Sequence, residues 1–476
     1  MHTMPVVDQD RRALPPNLHG QSVTVVGMGK SGIAAARLLR EVGADVTIVD
    51  EQEPDALQPA LALLSKESIQ SIAGTEWVNA LHEVDWIVVS PGVPMDHPAL
   101  TRARQQGTPV VGEMELACWY IDVPIIAVTG TNGKSTTVRL IGEFLRANGN
   151  NPFVGGNLGV PLCEGVLEQR AVKTGDHSAF IPYDYAVVEA SSFQLETIQH
   201  FRPWIAVMLN MTPDHLDRHP SFEHYQSAKW NMCQNQTAED IAVLNIDDPL
   251  IAVKADELSS SVVGFSLQGK LPVGVWSEGE TVRARIAGEE WHVAERSQIV
   301  LRGQHNLANV LAATAVGLLC GCLLDRIRSV MGSFQGVEHV LEFVRNRHGV
   351  KYYNDSKGTN VDATEKALAS FDEPILLIVG GKDKGGDFHQ LHELVRQKVT
   401  TVIAIGEAAS RIVDSLKQII SPIVADTLDK AISLAEQKAR FGDVVLFSPA
   451  CSSFDMFKNY DHRGKEFKRL VHQLRE

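Results

Sequence analysis

Cysteine is scarce in this chain. Six stand among 476 residues, at Cys118, Cys163, Cys233, Cys320, Cys322 and Cys451, and the only close pair lies inside the apolar stretch VGLLCGCLL. Thiols scattered in this way exclude a disulfide framework and a cysteine-based zinc site, and suit core packing. No uninterrupted apolar run reaches membrane-spanning length, which argues against membrane insertion. Positive charge is in deficit: 44 Lys and Arg against 58 Asp and Glu leave a formal charge of −14. Broad binding to nucleic acid or anionic lipid is thereby excluded, and anionic ligands need local positive sites. Low-complexity linkers and close internal repeats are absent as well. Residues 1–20 are polar and proline-containing, without a secretory-signal pattern. They are expected to form a flexible tail, and the protein to be a cytoplasmic monomer.

With 44% apolar and 21% charged residues the chain reads as an ordinary globular protein, long enough for about three domains. The text alternates strand and helix three times. SVTVVGMG, DVTIVD, WIVVS and TPVVG read as strands of a first round, with KSGIAAARLLREVG as a helix closed by Gly43. PIIAVTG, DYAVVEA, PWIAVMLN and DIAVLN form a second, followed by hairpin-like segments between Val262 and Ile299 and the apolar helix NVLAATAVGLLCG. VKYYNDS, PILLIVGG, TTVIAIG and DVVLFSP form a third. The expected fold class is α/β: three domains, each a mainly parallel sheet with flanking helices, over residues 1–123, 124–336 and 337–476. The first and third are expected to be Rossmann-like and the second P-loop-like.

Two glycine-rich turns sit at strand-to-helix junctions. In the first, Gly27, Gly29 and Gly32 let the backbone approach a diphosphate at a helix N-terminus, and Asp50 ends the next strand where a dinucleotide fold holds its ribose acid. A nicotinamide or flavin enzyme, a nucleotide-linked substrate and plain helix–sheet packing all fit. Ser90 and Gly92, in SPGVP, form another turn at a strand's C-terminal end. The second loop, Gly130-Thr131-Asn132-Gly133-Lys134-Ser135-Thr136, offers backbone N–H groups, a lysine for terminal phosphates and a hydroxyl for Mg²⁺. Where the usual P-loop has its first glycine, Val128 stands instead. Glu189, Asp214, His215 and Asp217 follow neighbouring predicted strands and are candidates for the same rim. A dehydrogenase explains only the first loop, and a kinase or GTPase only the second. A non-catalytic nucleotide-binding regulator would have little need for the metal candidates.

Taken together, GTNGKST, EASSFQL, NMTPDHLDRH, GQHNLANVLAA, NDSKGTN, GGKDKGGDF and SPACSSFDMFKNYDHRGKEF resemble the Mur ligases, in the same order along the chain from about Ser22 onward. The resemblance implies an ATP-dependent amide ligase of peptidoglycan precursor synthesis, and the last two motifs point to D-glutamate as the amino acid added to a UDP-sugar-alanine substrate. A sibling ligase for another amino acid, or a folylpolyglutamate-type enzyme, shares the middle motifs. It further implies that Gly130 to Thr136 hold ATP, with Asn306, Asn309 and Asp355. Lys134 would contact the phosphates, Ser135 and Glu189 would ligate one Mg²⁺, and His215 a second. Lys229 matches a lysine that the family carbamylates with CO₂, whereas by itself it reads as a solvated helix residue. Gly27, Gly29, Lys30, Ser31, Gly32, Asp50, Ser90, Gly92, Asn157 and Gln194 would hold the UDP-linked substrate, and Lys357, Thr359, Lys384, Ser453 and Phe454 the D-glutamate. Asn306 and Asn309 alone would read as helix caps. Two departures stand out. Val340 follows His339 where the family commonly has a phosphate-directed arginine, and Glu51 and Gln52 replace a frequent threonine-arginine pair.

Overall fold

The computed structural model describes residues 15–157, 159–173, 181–216 and 218–474. Most of the expected tail, and Asp217, lie outside the described residues. Three sheets account for the strands. The first contains β1 (Ser22–Val26), β2 (Asp45–Asp50), β3 (Gln70–Ala73), β4 (Trp86–Val89) and β5 (Val110–Gly112) in the order β3-β2-β1-β4-β5, all parallel. Parallel strands must be covered on both faces, which is why VTVV and WIVV run apolar without alternation. Strand order reverses between β1 and β4, and the loops leaving them carry the Gly27–Gly32 turn and Ser90. An open α/β sheet binds ligands at such a reversal.

The second sheet has nine strands. β6 (Ile125–Thr129), β7 (Pro152–Gly156), β8 (Tyr185–Glu189), β9 (Ile205–Met208), β10 (Ile241–Asn245), β11 (Ser261–Ser266), β12 (Gly274–Glu278), β13 (Thr281–Ile286) and β14 (Glu289–Glu295) lie in the order β14-β13-β12-β11-β10-β9-β6-β8-β7. β6 is flanked by β9 and β8, both parallel to it, so the loops leaving all three open at one rim. The glycine-separated text after Val262 forms the β12–β13 antiparallel hairpin at the far side. The apolar helix begins earlier than its sequence suggested, at Gln304, and runs to Leu319, so Asn306 and Asn309 lie within it instead of capping it.

The third sheet comprises β15 (Glu342–Arg347), β16 (Val350–Asn354), β17 (Ile375–Gly380), β18 (Val399–Ile405), β19 (Ile423–Ala425) and β20 (Val444–Phe447), ordered β15-β16-β20-β17-β18-β19. Only the edge pair β15–β16 is antiparallel among its pairings. Contacts divide the chain into two compact units. One runs through Ala294 and takes in Leu311–Val330; the other is Glu295–Val310 with Met331 onward. The first two sheets share a unit because one apolar cluster is continuous across them, where the helix Lys30–Glu41 packs on the helix Leu162–Lys173. Arg170 reinforces that seam with a 2.6 Å ion pair to Glu41.

Candidate active site

In the first unit the loop after β6 is held open by its neighbour after β9. Asn210 accepts the Asn132 N–H at 2.8 Å, donates to the Asn132 carbonyl at 3.0 Å, and its own carbonyl accepts the Thr131 N–H at 3.0 Å. Thr131 donates its hydroxyl to the Thr212 carbonyl at 2.9 Å and receives the Tyr225 hydroxyl at 3.1 Å. Gly133 has φ +88°, a left-handed conformation that a side chain would strain, and the helix Lys134–Ala147 starts immediately after it. A helix N-terminus whose first amides lie beside backbone turned outward by glycine is an anion site.

Around this loop the charges are arranged in pairs. Ser135 donates its hydroxyl to Glu189 Oε2 at 2.7 Å, and Asn157 donates to Glu189 Oε1 at 2.9 Å. Glu189 is thus a buried carboxylate fixed from both sides, with hard oxygens of the kind Mg²⁺ takes. Lys134 folds its ammonium onto the carbonyls of Gly130 at 2.9 Å and Thr131 at 2.7 Å. Lys229 reaches the same place from the helix Phe222–Trp230, where Tyr225, Ala228 and Lys229 form the buried face. Its Nζ lies 2.8 Å from the Gly130 carbonyl, 3.4 Å from Thr129 Oγ1 and 4.7 Å from the centre of the Tyr225 ring. The solvated reading of Lys229 is therefore wrong: the residue is 1% exposed. Burial, aided by the nearby Lys134 charge, holds its pKa well below the ordinary lysine value, with Asp214 and Glu189 opposing. Burial lowers Lys134 also, against the same two carboxylates. His215 sits half-exposed at φ +54°, its N–H bonded to Asp214 Oδ1 at 2.9 Å. Left-handed backbone at a non-glycine residue is a strain that tends to collect at functional sites.

The glycines of the first turn have different reasons. A Cβ on Gly32 would lie 1.8 Å from the Gly27 carbonyl, so Gly32 serves helix–strand packing; Gly29 and Gly92 have open space where a Cβ would be. Lys30 is exposed and Ser31 half-buried at the helix start. Asp50 ties this loop to its own, Oδ2 accepting from the Met28 N–H at 2.7 Å and Oδ1 from the Gln52 N–H at 3.0 Å. Ser90 donates to the Gly27 carbonyl at 3.2 Å, and it lines one cleft with Gln194, Phe193 and Met114. Gln194 completes a capping box with Ser191, its Oε1 accepting at 3.0 Å from both the Ser191 N–H and hydroxyl.

In the second unit, the loops leaving the adjacent strands β16, β20 and β17 carry Lys357 and Thr359, Ser453 and Phe454, and Lys384, respectively. Lys382 and Ser452 exchange backbone hydrogen bonds of 2.9 and 3.2 Å, which ties two of these loops together. Arg463 anchors them from beneath. Its buried guanidinium donates to the carbonyls of Cys451, Ser452 and Ser356 at 3.1, 3.0 and 2.7 Å. Ser453 is buried, whereas Phe454 is 67% exposed and Lys384 exposed. Lys357 lies 5.6 Å from the Tyr460 ring centre. Asp355 accepts from the Ser448 hydroxyl at 2.6 Å, and burial pushes its pKa up to about 7. Asn306 and Asn309, joined by a 3.2 Å hydrogen bond, belong to this unit too. Val340 is half-buried, in a turn where His339 and Leu341 have positive φ.

Three family models match the chain: the Mur ligase MurD-like N-terminal domain over residues 21–112, the Mur ligase middle domain over 128–317 and the Mur ligase glutamate ligase domain over 341–451. The chain belongs to the Mur ligase family. Among its relatives, a UDP-N-acetylmuramoylalanine–D-glutamate ligase of Koribacter versatilis is 43% identical, covering 97% of this chain and 99% of the relative. One of the same name from Geotalea uraniireducens is 44% identical over 96% and 98%. Solved structures share the fold at low identity. The UDP-N-acetylmuramate-alanine ligase of Thermotoga maritima has a TM-score of 0.58 at 20% identity, over 96% of this chain and 100% of that one. The MurF ligase of the same organism, solved with ADP, has 0.57 at 17% over 98% and 99%. Membership in the Mur ligases makes the protein an ATP-dependent ligase.

The fold brings Lys134, Ser135, Glu189, Asn157 and Lys229 of this Mur ligase together around one loop. Sequence reasoning missed Asn210 and Tyr225, which hold that loop, and Arg463, which holds the C-terminal loops. Asn210 opens a motif following a strand next to β6, a position at which a loop-bracing amide could have been sought. Arg463 had no such signal, since a lone arginine in a polar helix reads as solvated.

Proposed function

We propose that this Mur ligase joins D-glutamate to UDP-N-acetylmuramoyl-L-alanine. The near-full-length likeness to ligases of that name carries the substrate reading, because it extends through both end segments, where Mur ligases of different specificity must differ. In this reading residues 1–123 hold the UDP-linked acceptor, 124–336 ATP and 337–476 the amino acid.

A carboxylate is a poor electrophile, so the alanyl carboxylate attacks the ATP γ-phosphoryl group, releasing ADP and giving an acyl phosphate. The D-glutamate amine then adds to the acyl carbon, the tetrahedral adduct expels phosphate, and the amine loses a proton. Lys134 swings from the Gly130 and Thr131 carbonyls to the terminal phosphates, and the loop amides with the helix N-terminus hold the rest. Ser135, Glu189 and His215 are the residues that would hold Mg²⁺, which when bound neutralises phosphate charge. The 2.7 Å Ser135–Glu189 contact already places two oxygen ligands side by side.

Lys229, after reacting with CO₂, would add a second anionic ligand beside Glu189. Burial lowers the pKa of its amine and so favours the uncharged form; the Nζ lone pair of that form attacks the CO₂ carbon, an N–C bond forms, one C=O pair moves to oxygen and a proton leaves, giving a carbamate. The carbamate replaces a basic amine with an anion beside the metal positions. Gly27, Gly29, Lys30, Ser31, Gly32, Asp50, Ser90, Gly92, Asn157 and Gln194 are assigned to the acceptor, Asp50 also bracing the first turn through the Met28 N–H. Lys357, Thr359, Lys384, Ser453 and Phe454 are assigned to D-glutamate, two ammonium groups facing two carboxylates. Asn306, Asn309 and Asp355 are assigned to ATP. The deciding test is phosphate release from ATP with the UDP-sugar-alanine acceptor and a panel of amines. Turnover with D-glutamate is expected, and turnover only with L-lysine, diaminopimelate or L-alanine rejects the reading.

A further inference from the structure

Close to the phosphate loop, three ligand atoms converge that the reaction above does not use. Glu196 directly follows the short helix Ser192–Leu195, His219 lies beyond β9, and His224 is in the first turn of the helix Phe222–Trp230. Nδ1 of His219 is 3.1 Å from Nδ1 of His224 and 3.2 Å from Oε1 of Glu196, while the His224 Nδ1 to Glu196 Oε1 distance is 3.8 Å. A tetrahedral ion with bonds of about 2.1 Å has ligand atoms about 3.4 Å apart. The three separations bracket that value, so the donors already form one face of such a polyhedron.

The surroundings turn the Nδ1 lone pair of His219 inward. Nε2 of His219 lies 2.9 Å from the Ser192 hydroxyl, which can accept its N–H and leave Nδ1 unprotonated toward the cluster. Histidines that bind metal are oriented by such an outer hydrogen bond. The Phe193 ring stacks on His219 at 5.3 Å and Tyr225 meets it edge-on at 5.3 Å, which fixes the ring plane. Oε2 of Glu196, the carboxylate oxygen outside those three separations, is buried with no hydrogen-bond partner, so the carboxylate has a second acceptor position open. The His219 side chain is fully buried, whereas that of His224 is half-exposed and opens a route for an ion and a water ligand.

We propose that Glu196, His219 and His224 form a binding site for a divalent transition metal ion of the Zn²⁺ class, separate from the magnesium positions assigned to Ser135, Glu189 and His215. Two imidazoles and one carboxylate suit zinc or cobalt, whereas Mg²⁺ requires mostly oxygen. The ion fastens the segment bearing His215 to the N-terminal turn of the helix bearing Lys229.

The test uses the full chain stripped of metal and then held in excess Mg²⁺, titrated with Co²⁺ and followed by its visible absorption. One equivalent with tetrahedral-type bands, displaced by Zn²⁺, is expected, together with a higher melting temperature in Zn²⁺. His224→Ala and Glu196→Gln should each weaken binding by about a hundredfold or more, with circular dichroism unchanged; the former alters a half-exposed side chain that the fold tolerates losing. His215→Ala should keep the site. Absence of stoichiometric binding in the unaltered chain overturns the proposal, as does wild-type affinity in His224→Ala, or loss of the equivalent in His215→Ala but not in His224→Ala.

Discussion

Replacing Lys229 with alanine separates its catalytic contribution from its structural one. The Gly130 carbonyl accepts from Lys134 at 2.9 Å as well as from Lys229 at 2.8 Å, so truncation orphans no backbone acceptor. What is lost is the packing of an alkyl stem, about 1–3 kcal/mol, and what is relieved is the burial of an amine whose desolvation opposes it. Net stability should therefore change by about 1 kcal/mol, a shift of a few degrees in melting temperature. Activity should fall far more. Removing one preorganised electrostatic group costs about 3–4 kcal/mol at the transition state, on the order of a hundred- to a thousandfold in kcat. The assay is ATP-dependent phosphate release with acceptor and D-glutamate, beside a thermal melt of the same sample. Formate or acetate, admitted to the vacated space, should restore part of the rate by supplying the missing oxygens. Carbon-13-labelled bicarbonate should give a carbamate resonance in the unaltered protein and none in Lys229→Ala. Near-normal turnover of Lys229→Ala in CO₂-depleted buffer without added carboxylate would refute the reasoning.

Lys134→Ala should lose on the order of a hundredfold or more in turnover at unchanged melting temperature, because the developing γ-phosphoryl charge loses its ammonium; wild-type rates in a folded variant reject that assignment. Gly32→Ala drives a Cβ to 1.8 Å from the Gly27 carbonyl, so it should destabilise by about 1–3 kcal/mol, as overpacking does, whereas Gly29→Ala, with open space there, should leave the melt unchanged and report on acceptor KM. Asp355 is an acid whose folded pKa, about 7, lies above its ordinary 3.8. Its contribution is fully present below pH 3.8 and is lost as pH rises through about 7. Denaturant titrations should accordingly show stability falling across that window, and Asp355→Asn should flatten the slope; an identical slope in the variant would show that another group sets it.

Much of the architecture was legible without coordinates because parallel strands announce themselves. Runs such as WIVV, AVV and LLIV are apolar on both faces, glycine loops follow β1 and β6, and chemistry in an open α/β sheet collects where strands end. The strand-end placement of Lys134, Glu189, Lys357 and Ser453 follows from that rule. Chain order could not say which strand ends are neighbours. That depends on pairing: β9 and β8 flank β6, which brings Asn210 and Glu189 to the loop of Lys134. Nor could it decide burial on the helix Phe222–Trp230, whose sequence FEHYQSAKW scatters polar residues around the axis. Packing against the phosphate loop turned Tyr225, Ala228 and Lys229 inward, and so converted a lysine that reads as solvated into a buried amine with a depressed pKa. Residue type and local order are written in the sequence, but the dielectric around a charge and the partners within hydrogen-bonding reach are set by segments distant along the chain. Only the folded structure brings those together.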